Sequence, residues 1–302
     1  MIPPFLVSRL EAFLREQLVG GTGAPTVDFS KPEGEPALAA ADSVSWRVFR
    51  NPVALYLGGI AAVLMELAEP RVRSGVWDHT TFRSDPLRRM RRTGMAAMVT
   101  VYGARSVAGR MIEGVGKMHS RIEGVTPGGI RYRADDPVLL RWVHATALFG
   151  FMEAYHRHVR PLPPEERDRF VAEGVPAARL YGAIDPPASE AAMRALFEDM
   201  QPGLERSEIV FEFLEIIGNL SLFPPCLRPL NRMMVRAAVQ LLPAAVKDTL
   251  GLGRWKGPSA GSRAALRVMG SGIEHLRLDS HPAAQACCRL GLPADYLCRR
   301  EL

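Results

Sequence analysis

An arginine and a threonine four residues apart form the first pair in this sequence that could bind a charged group. If the segment is helical, Arg89 and Thr93 stack on one face, because residues four apart are neighbours on a helix surface. An apolar stripe runs beside them through Met90, Ala97 and Val101. A polar pair next to such a stripe suits an anionic or polar group held at the edge of an apolar cavity. A surface arginine beside a threonine that bonds its own backbone would produce the same pattern.

A histidine further along the chain could bind a metal. Val115 and Ile112 precede His119 by four and seven residues, so a helix would place the imidazole on an apolar face. A neutral imidazole at the wall of an apolar slot can bind haem iron through one nitrogen, while a carbonyl or a carboxylate holds the other nitrogen. A core histidine with satisfied hydrogen bonds fits the same spacing, so both interpretations stay open.

A second apolar segment offers His144 and Thr146 as further candidates for a binding site. Leu148 shares a helix face with His144, and Gly150 shares a face with Thr146, because each lies four residues further on. Two residues along a helix correspond to a rotation of about 200°. The spacing therefore predicts that the two side chains do not both point into one narrow site.

Motifs for several other chemistries are absent from the sequence. There is no Gly-rich dinucleotide or phosphate loop, no HExxH zinc motif and no GxSxG nucleophile motif. A non-haem iron centre needs two histidines and a carboxylate that converge. His79, His119 and His144, together with several acidic residues, could supply these ligands, so this alternative stays open.

The composition is that of an ordinary globular protein with a basic excess. Hydrophobic residues make up 47% of the 302 residues and charged residues 23%, and the formal net charge is +6. A basic balance raises the question of nucleic acid. However, only four of the 38 basic residues are lysines, and the arginines are spread along the chain. We therefore expect no nucleic-acid partner.

Cysteine content and hydrophobic segments bear on the compartment. Four cysteines in a chain of this length are too few for a disulfide scaffold, which fits a reducing compartment. The N-terminal stretch has no signal-peptide pattern. The most apolar segment, PVALYLGGIAAVLMELAEP, is short for a membrane span and contains Glu66, so it is predicted to be a buried helix. These features predict a cytoplasmic protein without an integral membrane span.

Helical spacing dominates the chain and predicts an all-α fold built as a single large helical domain. A break in the helical pattern is expected near Gly103 or Gly114, and GVTPGGIRYRADDP is expected to form a turn or a short hairpin. The predicted helices span 4–19, 52–68, from Pro86 to about 122, 137–158, 164–173, 188–199, 206–218, 228–248 and 259–278. The predicted organisation is an N-terminal helix and arm (1–45), a helical catalytic domain (46–250) and a C-terminal helical extension (251–302).

Three sequence blocks, taken in order, resemble one known family. GVWDHTTFRSDPLRRMRRT, VGKMHSRIEG and YRADDPVLLRWVHAT are similar to the corresponding blocks of rubber oxygenases (latex clearing proteins) and MpaB-type oxygenases. The resemblance covers about residues 45–250. It implies a globin-like helical core that holds haem b.

The resemblance also assigns roles to individual residues. It implies that His119 is the iron ligand, that Arg89 and Thr93 lie beside the haem, and that Thr146 belongs to the following pocket helix, with His144 as the competing candidate there. The Glu proposed as a base in rubber oxygenases has no counterpart, and Arg92 stands where those proteins have a lysine.

The function expected from the resemblance is haem-dependent oxidation. The enzyme would use O₂ to oxidise or cleave a lipophilic small molecule, such as an isoprenoid or another alkene, that is smaller than rubber. The alternatives are a haem-binding or lipophile-binding protein without turnover, and a non-haem iron enzyme.

Overall fold

α-Helices form almost all of the regular structure. The computed structural model describes residues 27–220 and 228–299, and within them the chain forms fourteen α-helices and one two-stranded antiparallel hairpin. The expected all-α class is confirmed. The helices are α1 Val44–Arg50, α2 Pro52–Glu66, α3 Pro70–His79, α4 Pro86–Tyr102, α5 Arg105–His119, α6 Pro137–His158, α7 Pro164–Tyr181, α8 Glu190–Met200, α9 Glu208–Asn219, α10 Arg228–Val239, α11 Ala244–Thr249, α12 Ala260–Glu274, α13 Pro282–Arg289 and α14 Tyr296–Arg299. The strands are β1 Glu123–Val125 and β2 Arg131–Arg133.

Helices α2 and α6 form the centre of the fold, and glycines bring their backbones into contact. A Cβ on Gly150 would lie 2.3 Å from the carbonyl oxygen of Gly58, and a Cβ on Gly58 would lie 2.7 Å from Phe151. Any side chain at these two positions would force the helices apart. The mostly apolar sequence of both helices follows from this central position, because neighbours surround them on several sides.

Two further groups of helices pack near this central pair. Helices α10 and α12 pack directly on α2, and α12 also packs on α6. Helices α4 and α5 pack on each other, and their extensive backbone contacts within the described residues are with α1, α7 and α13. Helices α1 and α7 in turn pack on α6, so they link the α4–α5 pair to the central pair.

Local signals in the sequence set the ends of α4, α5 and α6. Asp85 caps α4 by accepting a hydrogen bond from the backbone N–H of Arg88 at 3.2 Å, and Pro86 occupies the first helical position. The predicted break occurs at Gly103, whereas Gly114 lies inside α5. The predicted hairpin is also confirmed, with Gly124 opposite Tyr132. Helix α6 has the predicted bounds.

Other predicted helix boundaries are wrong, and each has a local cause. The helix predicted over 228–248 is interrupted after Val239, and α11 starts again just after Pro243. Helix α7 continues beyond 173 to Tyr181, with Pro176 inside it. The predicted helix 4–19 lies outside the described residues. The described part of the N-terminal arm, 27–43, consists of turns, bends and irregular structure.

The C-terminal helices are tied to the central part of the fold. Asn51 Nδ2 donates to the carbonyl oxygen of Gly270 at 2.9 Å, and Arg50 Nη1 donates to that of Glu274 at 2.8 Å. Both acceptors lie on α12, beyond the predicted boundary at 250. The division into 1–45, 46–250 and 251–302 stays a prediction.

The length and composition of the hydrophobic helices determine whether one of them could cross a bilayer. Among the described residues, no single helix combines the length and apolar composition that crossing a membrane requires. The consecutive pair α1 and α2 meets these criteria only jointly, and its two helices are bent by 95°.

The glycine contact at the centre of the fold can be tested by substitution. Gly150→Ala places a methyl group against the backbone of α2, and we expect it to lower the free energy of unfolding by about 2–3 kcal/mol. Gly114→Ala is the matched control, because nothing lies within 4 Å of its Cβ position. We expect this control to raise stability by about 0.5–1 kcal/mol. Urea unfolding measures both, and equal effects would contradict the close contact.

Candidate active site

Three ionisable side chains at helix ends converge. Glu66 is the last residue of α2, Arg89 lies near the start of α4, and His119 is the last residue of α5. The Arg89 charge is the largest electrostatic influence on both Glu66 and His119. One charge changes the pKa of another group noticeably only when the two are close or when little water lies between them. The structure therefore brings α2, α4 and α5 together at one polar centre.

Burial is the largest influence on the pKa values of all three groups. It raises the pKa of Glu66 to about 7 by removing water from the carboxylate, and Arg89 only partly opposes the effect. Burial also lowers the pKa of Arg89, with Glu66 opposing and Arg92 adding to the shift. The pKa of His119 is lowered by burial and next by Arg89, whereas Asp135 opposes. His119 is therefore a neutral imidazole at neutral pH.

Several ionisable groups on these and the neighbouring helices are desolvated although their residues are not fully buried. Loss of hydration is the largest cause of the pKa shift for Tyr56, Glu66, Arg89, His119, His144 and Tyr181, and each of these residues keeps some accessible surface. His156 and Cys298 share both properties. By contrast, Tyr102 and Tyr155 also lose their hydration but have no accessible surface.

Apolar side chains between the helix pairs are also incompletely covered. Every residue of α4 from Pro86 to Ala97 keeps accessible surface, and burial on this helix begins only at Met98. Partly covered apolar residues on α2, α4, α5 and α6 include Val63, Met90, Ala97, Met111 and Val143. The helices that carry the polar centre thus also carry incompletely covered apolar side chains, and small-molecule pockets are lined mainly by apolar side chains.

Arg89 and Thr93 form the pair that the sequence predicted. Arg89 Nη1 donates to Thr93 Oγ1, and Thr93 Oγ1 donates to the backbone oxygen of Arg89 at 3.0 Å. Thr93 is exposed and Arg89 is half-buried, so the pair spans the edge of the centre. The structure therefore combines the two interpretations of the spacing, because the threonine bonds its own backbone and also holds the guanidinium.

The comparison with known proteins identifies the family. Residues 46–275 match the family described as ER-bound oxygenase mpaB/B'/rubber oxygenase, catalytic domain. This match spans more than half of the chain and includes Glu66, Arg89 and His119. The chain belongs to this oxygenase family. No curated protein and no solved structure matches the chain.

In this member of the oxygenase family, the two candidates on α6 face different helices. His144 faces α7, where a Cβ on Gly174 would lie 3.1 Å from its Cε1 atom. Thr146 is fully buried, and its hydroxyl donates to the backbone oxygen of Val143 at 2.9 Å. Thr146 shares its helix face with Gly150, which contacts α2. The structure therefore does not direct both side chains to the polar centre, and a role for either one stays a prediction.

His144 nevertheless retains an unused hydrogen-bonding atom. Its Nε2 is buried and has no hydrogen-bond partner among the described residues. Burial lowers the pKa of His144 to about 4, so the ring is neutral at neutral pH. A buried nitrogen without a partner is unfavourable unless something absent from the polypeptide satisfies it. His144 is thus compatible with a bound group between α6 and α7.

Sequence reasoning missed Glu66 and Tyr181 as residues of the site. Glu66 was recognised only as a charge that argues against a membrane span, and nothing in the sequence placed it near Arg89. Tyr181 connects α7 to the α4–α5 pair: its hydroxyl lies 3.0 Å from Thr100 Oγ1 and 3.9 Å from Met111 Sδ. A glutamate at the end of an otherwise apolar helix was the one available signal.

The remaining arginines and His79 have other environments. Arg83 and Arg88 are exposed, and Arg83 forms an ion pair with Glu212 at 2.7 Å. Arg91 is half-buried. His79 Nε2 lies 3.1 Å from the hydroxyl of Tyr132. In residues 27–220 and 228–299, no three His, Cys, Asp or Glu side chains are grouped to hold a metal ion.

The raised pKa of Glu66 predicts a pH-dependent stability. The folded protein binds this proton more tightly than the unfolded chain, so the stabilisation is complete below pH about 4.5 and is lost as the pH rises through about 7. Glu66→Gln keeps the shape of the neutral carboxyl. Relative to the wild type, we expect the variant to gain about 2–3 kcal/mol in free energy of unfolding between pH 5 and pH 8.

Denaturant unfolding of the protein without added cofactor measures this difference at each pH. Glu215→Gln is the matched control, because Glu215 is exposed on α9. The control should follow the wild type at every pH. A parallel pH dependence of Glu66→Gln and the wild type would mean that Glu66 has an ordinary pKa.

Proposed function

We propose that this protein is a haem b-dependent oxygenase that uses O₂ to oxidise or cleave a lipophilic small molecule. The convergence of His119, Arg89 and Glu66 on helices that also carry incompletely covered apolar side chains carries the proposal. Membership of the oxygenase family supports the reaction class. The incompletely covered apolar side chains support a lipophilic substrate, such as an isoprenoid or another alkene.

The residues of the site fit a porphyrin better than a bare metal ion. A non-haem iron centre requires two histidines and a carboxylate, and the described residues contain no such group. A porphyrin brings four nitrogen ligands of its own, so one imidazole from the protein is sufficient. His119 is suitable because its depressed pKa keeps the nitrogen lone pair free at neutral pH. When bound, haem supplies the iron at which O₂ is activated.

Arg89 provides a cationic group for the edge of the cofactor. Among the residues that the structure describes, its side chain has one hydrogen-bonding partner, the uncharged hydroxyl of Thr93, and no ion pair within hydrogen-bonding distance. A guanidinium in poorly hydrated surroundings binds a carboxylate strongly, and the haem propionates are carboxylates. Thr93 restricts the orientation of the guanidinium. The pair would thereby position the cofactor or stabilise negative charge that develops on oxygen.

Glu66 is the proton-holding group of the proposed site. With a pKa of about 7, this carboxyl can hold or release a proton within the neutral pH range. Its equilibrium responds to Arg89, because a positive charge favours the carboxylate. Binding of an anion to Arg89 would weaken that effect and favour the protonated form. The protonation of Glu66 thus depends on whether Arg89 binds an anion.

The haem ligand can be tested by absorption spectroscopy. Wild-type protein mixed with haem should show a Soret band, and His119→Ala should weaken haem binding at least about tenfold, as loss of a metal-site residue typically does. His275→Ala is the matched control, because His275 is exposed beyond the end of α12. It should bind haem like the wild type. An unchanged titration for His119→Ala would assign the iron to another residue.

Turnover can be tested by O₂ uptake with farnesol, an isoprenoid alkene, as the substrate probe. Haem-loaded wild-type protein should consume O₂, and Arg89→Gln should reduce the rate by about ten- to a hundredfold, which corresponds to loss of a charge-assisted hydrogen bond. Arg88→Gln, one position along on the exposed surface, should leave the rate unchanged. Haem binding without O₂ uptake on farnesol or related alkenes would favour the alternative of a binding protein without turnover.

A further inference from the structure

The net positive charge of the protein originates in one segment of the chain. Between Glu215 and Glu274 there are eight basic residues and one acidic residue, Asp248. The whole chain has 38 basic and 32 acidic residues, so 30 basic and 31 acidic residues lie elsewhere. The segment with the basic excess contains α10, α11 and α12. An uneven distribution of this kind directs attention to a surface that binds an anionic partner.

Hydrogen bonds around Gln240, just beyond α10, join part of this segment to the end of α6. The side-chain amide of Gln240 donates to the carbonyl oxygen of Trp255 at 2.9 Å, and its backbone oxygen accepts a hydrogen bond from Arg157 Nη1 at 2.9 Å. Arg267 Nε on α12 donates to the backbone oxygen of Arg157, also at 2.9 Å. The end of α6, the connection between α11 and α12, and α12 itself are therefore neighbours in space.

Five exposed basic residues lie on these three neighbouring elements. Arg157 forms an ion pair with Glu153 at 2.7 Å, and Glu153 also binds Arg167 at 2.7 Å. The other four basic residues form no ion pair among the described residues. We call the five residues the cationic surface: Arg157, Arg254, Lys256, Arg263 and Arg267.

Acidic residues at the border of the cationic surface have basic neighbours of their own. Asp248 follows Lys247 on α11, and its Oδ1 atom would lie 2.7 Å from a Cβ on Gly253. Arg206 lies against the connection that follows α11 and forms an ion pair with Glu208 at 3.2 Å. These charges balance one another at the border. The four cations without an ion pair therefore remain available to an acidic partner.

An exposed apolar side chain adjoins these cations. Val268, next to Arg267 on α12, is 74% exposed, the largest value among the large apolar side chains of the described residues. On the opposite side of α12, a Cβ on Gly270 would lie 2.3 Å from the carbonyl oxygen of His158. Two residues along a helix correspond to a rotation of about 200°. The close contact with the end of α6 therefore holds Val268 outward.

We propose that the cationic surface binds an acidic face of a partner protein, with Val268 in the contact. Protein interfaces are enriched in arginine and combine an apolar centre with a polar rim. Complementary charge speeds such an association and fixes its orientation. A surface for single-stranded nucleic acid would offer aromatic side chains for stacking, whereas Trp255 is half-buried. One valine supplies little apolar area for insertion into a bilayer.

Docking at this surface leaves the proposed active site free. Arg157 follows His144 on α6 by thirteen residues, which corresponds to about 20 Å along the helix axis. His119 lies beyond the other end of α6, just before the hairpin. The partner would therefore bind the protein at a distance from its cofactor, and this inference depends neither on haem nor on oxygenase activity.

Fluorescence anisotropy with the full chain tests this proposal. The probe is a labelled synthetic helical peptide that carries a stripe of leucine flanked by glutamate. It should bind the wild type, whereas the same peptide with glutamine in place of glutamate should bind at least about tenfold more weakly. Raising the NaCl concentration from about 50 to about 300 mM should weaken binding of the acidic peptide at least about fivefold.

Substitutions in the cationic surface identify where the peptide binds. Arg254→Glu combined with Lys256→Glu should weaken binding at least about tenfold, because two attractive charges become repulsive. Both side chains are exposed and form no hydrogen bond among the described residues, so the fold should be unaffected, and circular dichroism checks this. Val268→Ser should weaken binding about fivefold through the loss of apolar contact.

A matched control and two competing ligands decide the question. Arg105→Glu combined with Arg179→Glu makes the same change of net charge at exposed positions outside the cationic surface and should bind the peptide like the wild type. Absence of peptide binding, or equal binding by all variants, would overturn the proposal. Single-stranded DNA or phosphatidylserine vesicles that bind at least as tightly as the peptide, and lose binding in the Arg254 and Lys256 variant, would assign the surface to another class of ligand and would also overturn it.

Discussion

The contact between Gly58 and Gly150 is the constraint on which the arrangement of the molecule depends. Two helix backbones can approach this closely only where neither carries a side chain, and the approach sets the position of α2 and α6 for their whole lengths. Glu66 ends α2 two turns beyond the contact, and His144 lies on α6 nearly two turns before it. The geometry of the site on the central pair therefore follows from two residues that have no side chain.

Desolvation is the second organising influence, because it sets the charge of every group in the site. It shifts Glu66 towards the protonated form and His119 and His144 towards neutral rings, and it leaves Arg89 as the dominant charge at this centre. A site with a desolvated cation, neutral imidazoles and incompletely covered apolar side chains nearby favours a ligand that is itself mainly apolar with an anionic edge. These properties agree with membership of an oxygenase family and motivate the proposed cofactor.

The two halves of the structure also divide the proposed tasks. The central pair packs against α10 and α12, whereas the first three turns of α4, most of α5 and the outer face of the hairpin keep accessible surface. His119 lies where these features meet, at the end of α5 and just before β1.

The sequence by itself determined those features of the structure that depend on local interactions. The cap and start of α4 at Asp85 and Pro86, the span of α6 and the Arg89–Thr93 pair depend on residues within one or two helical turns, so spacing alone predicts them. The family was identifiable for the same reason, because its motifs are contiguous. Only the tertiary structure placed Glu66 beside Arg89, because these residues are distant in sequence and their pKa values depend on the water excluded by other helices. The same holds for His144, which faces α7, and for Thr146, which lies on the face of α6 that meets α2. The angle between these two side chains is set by helix geometry, so the sequence predicts it. Which helices they face depends on how the helices pack.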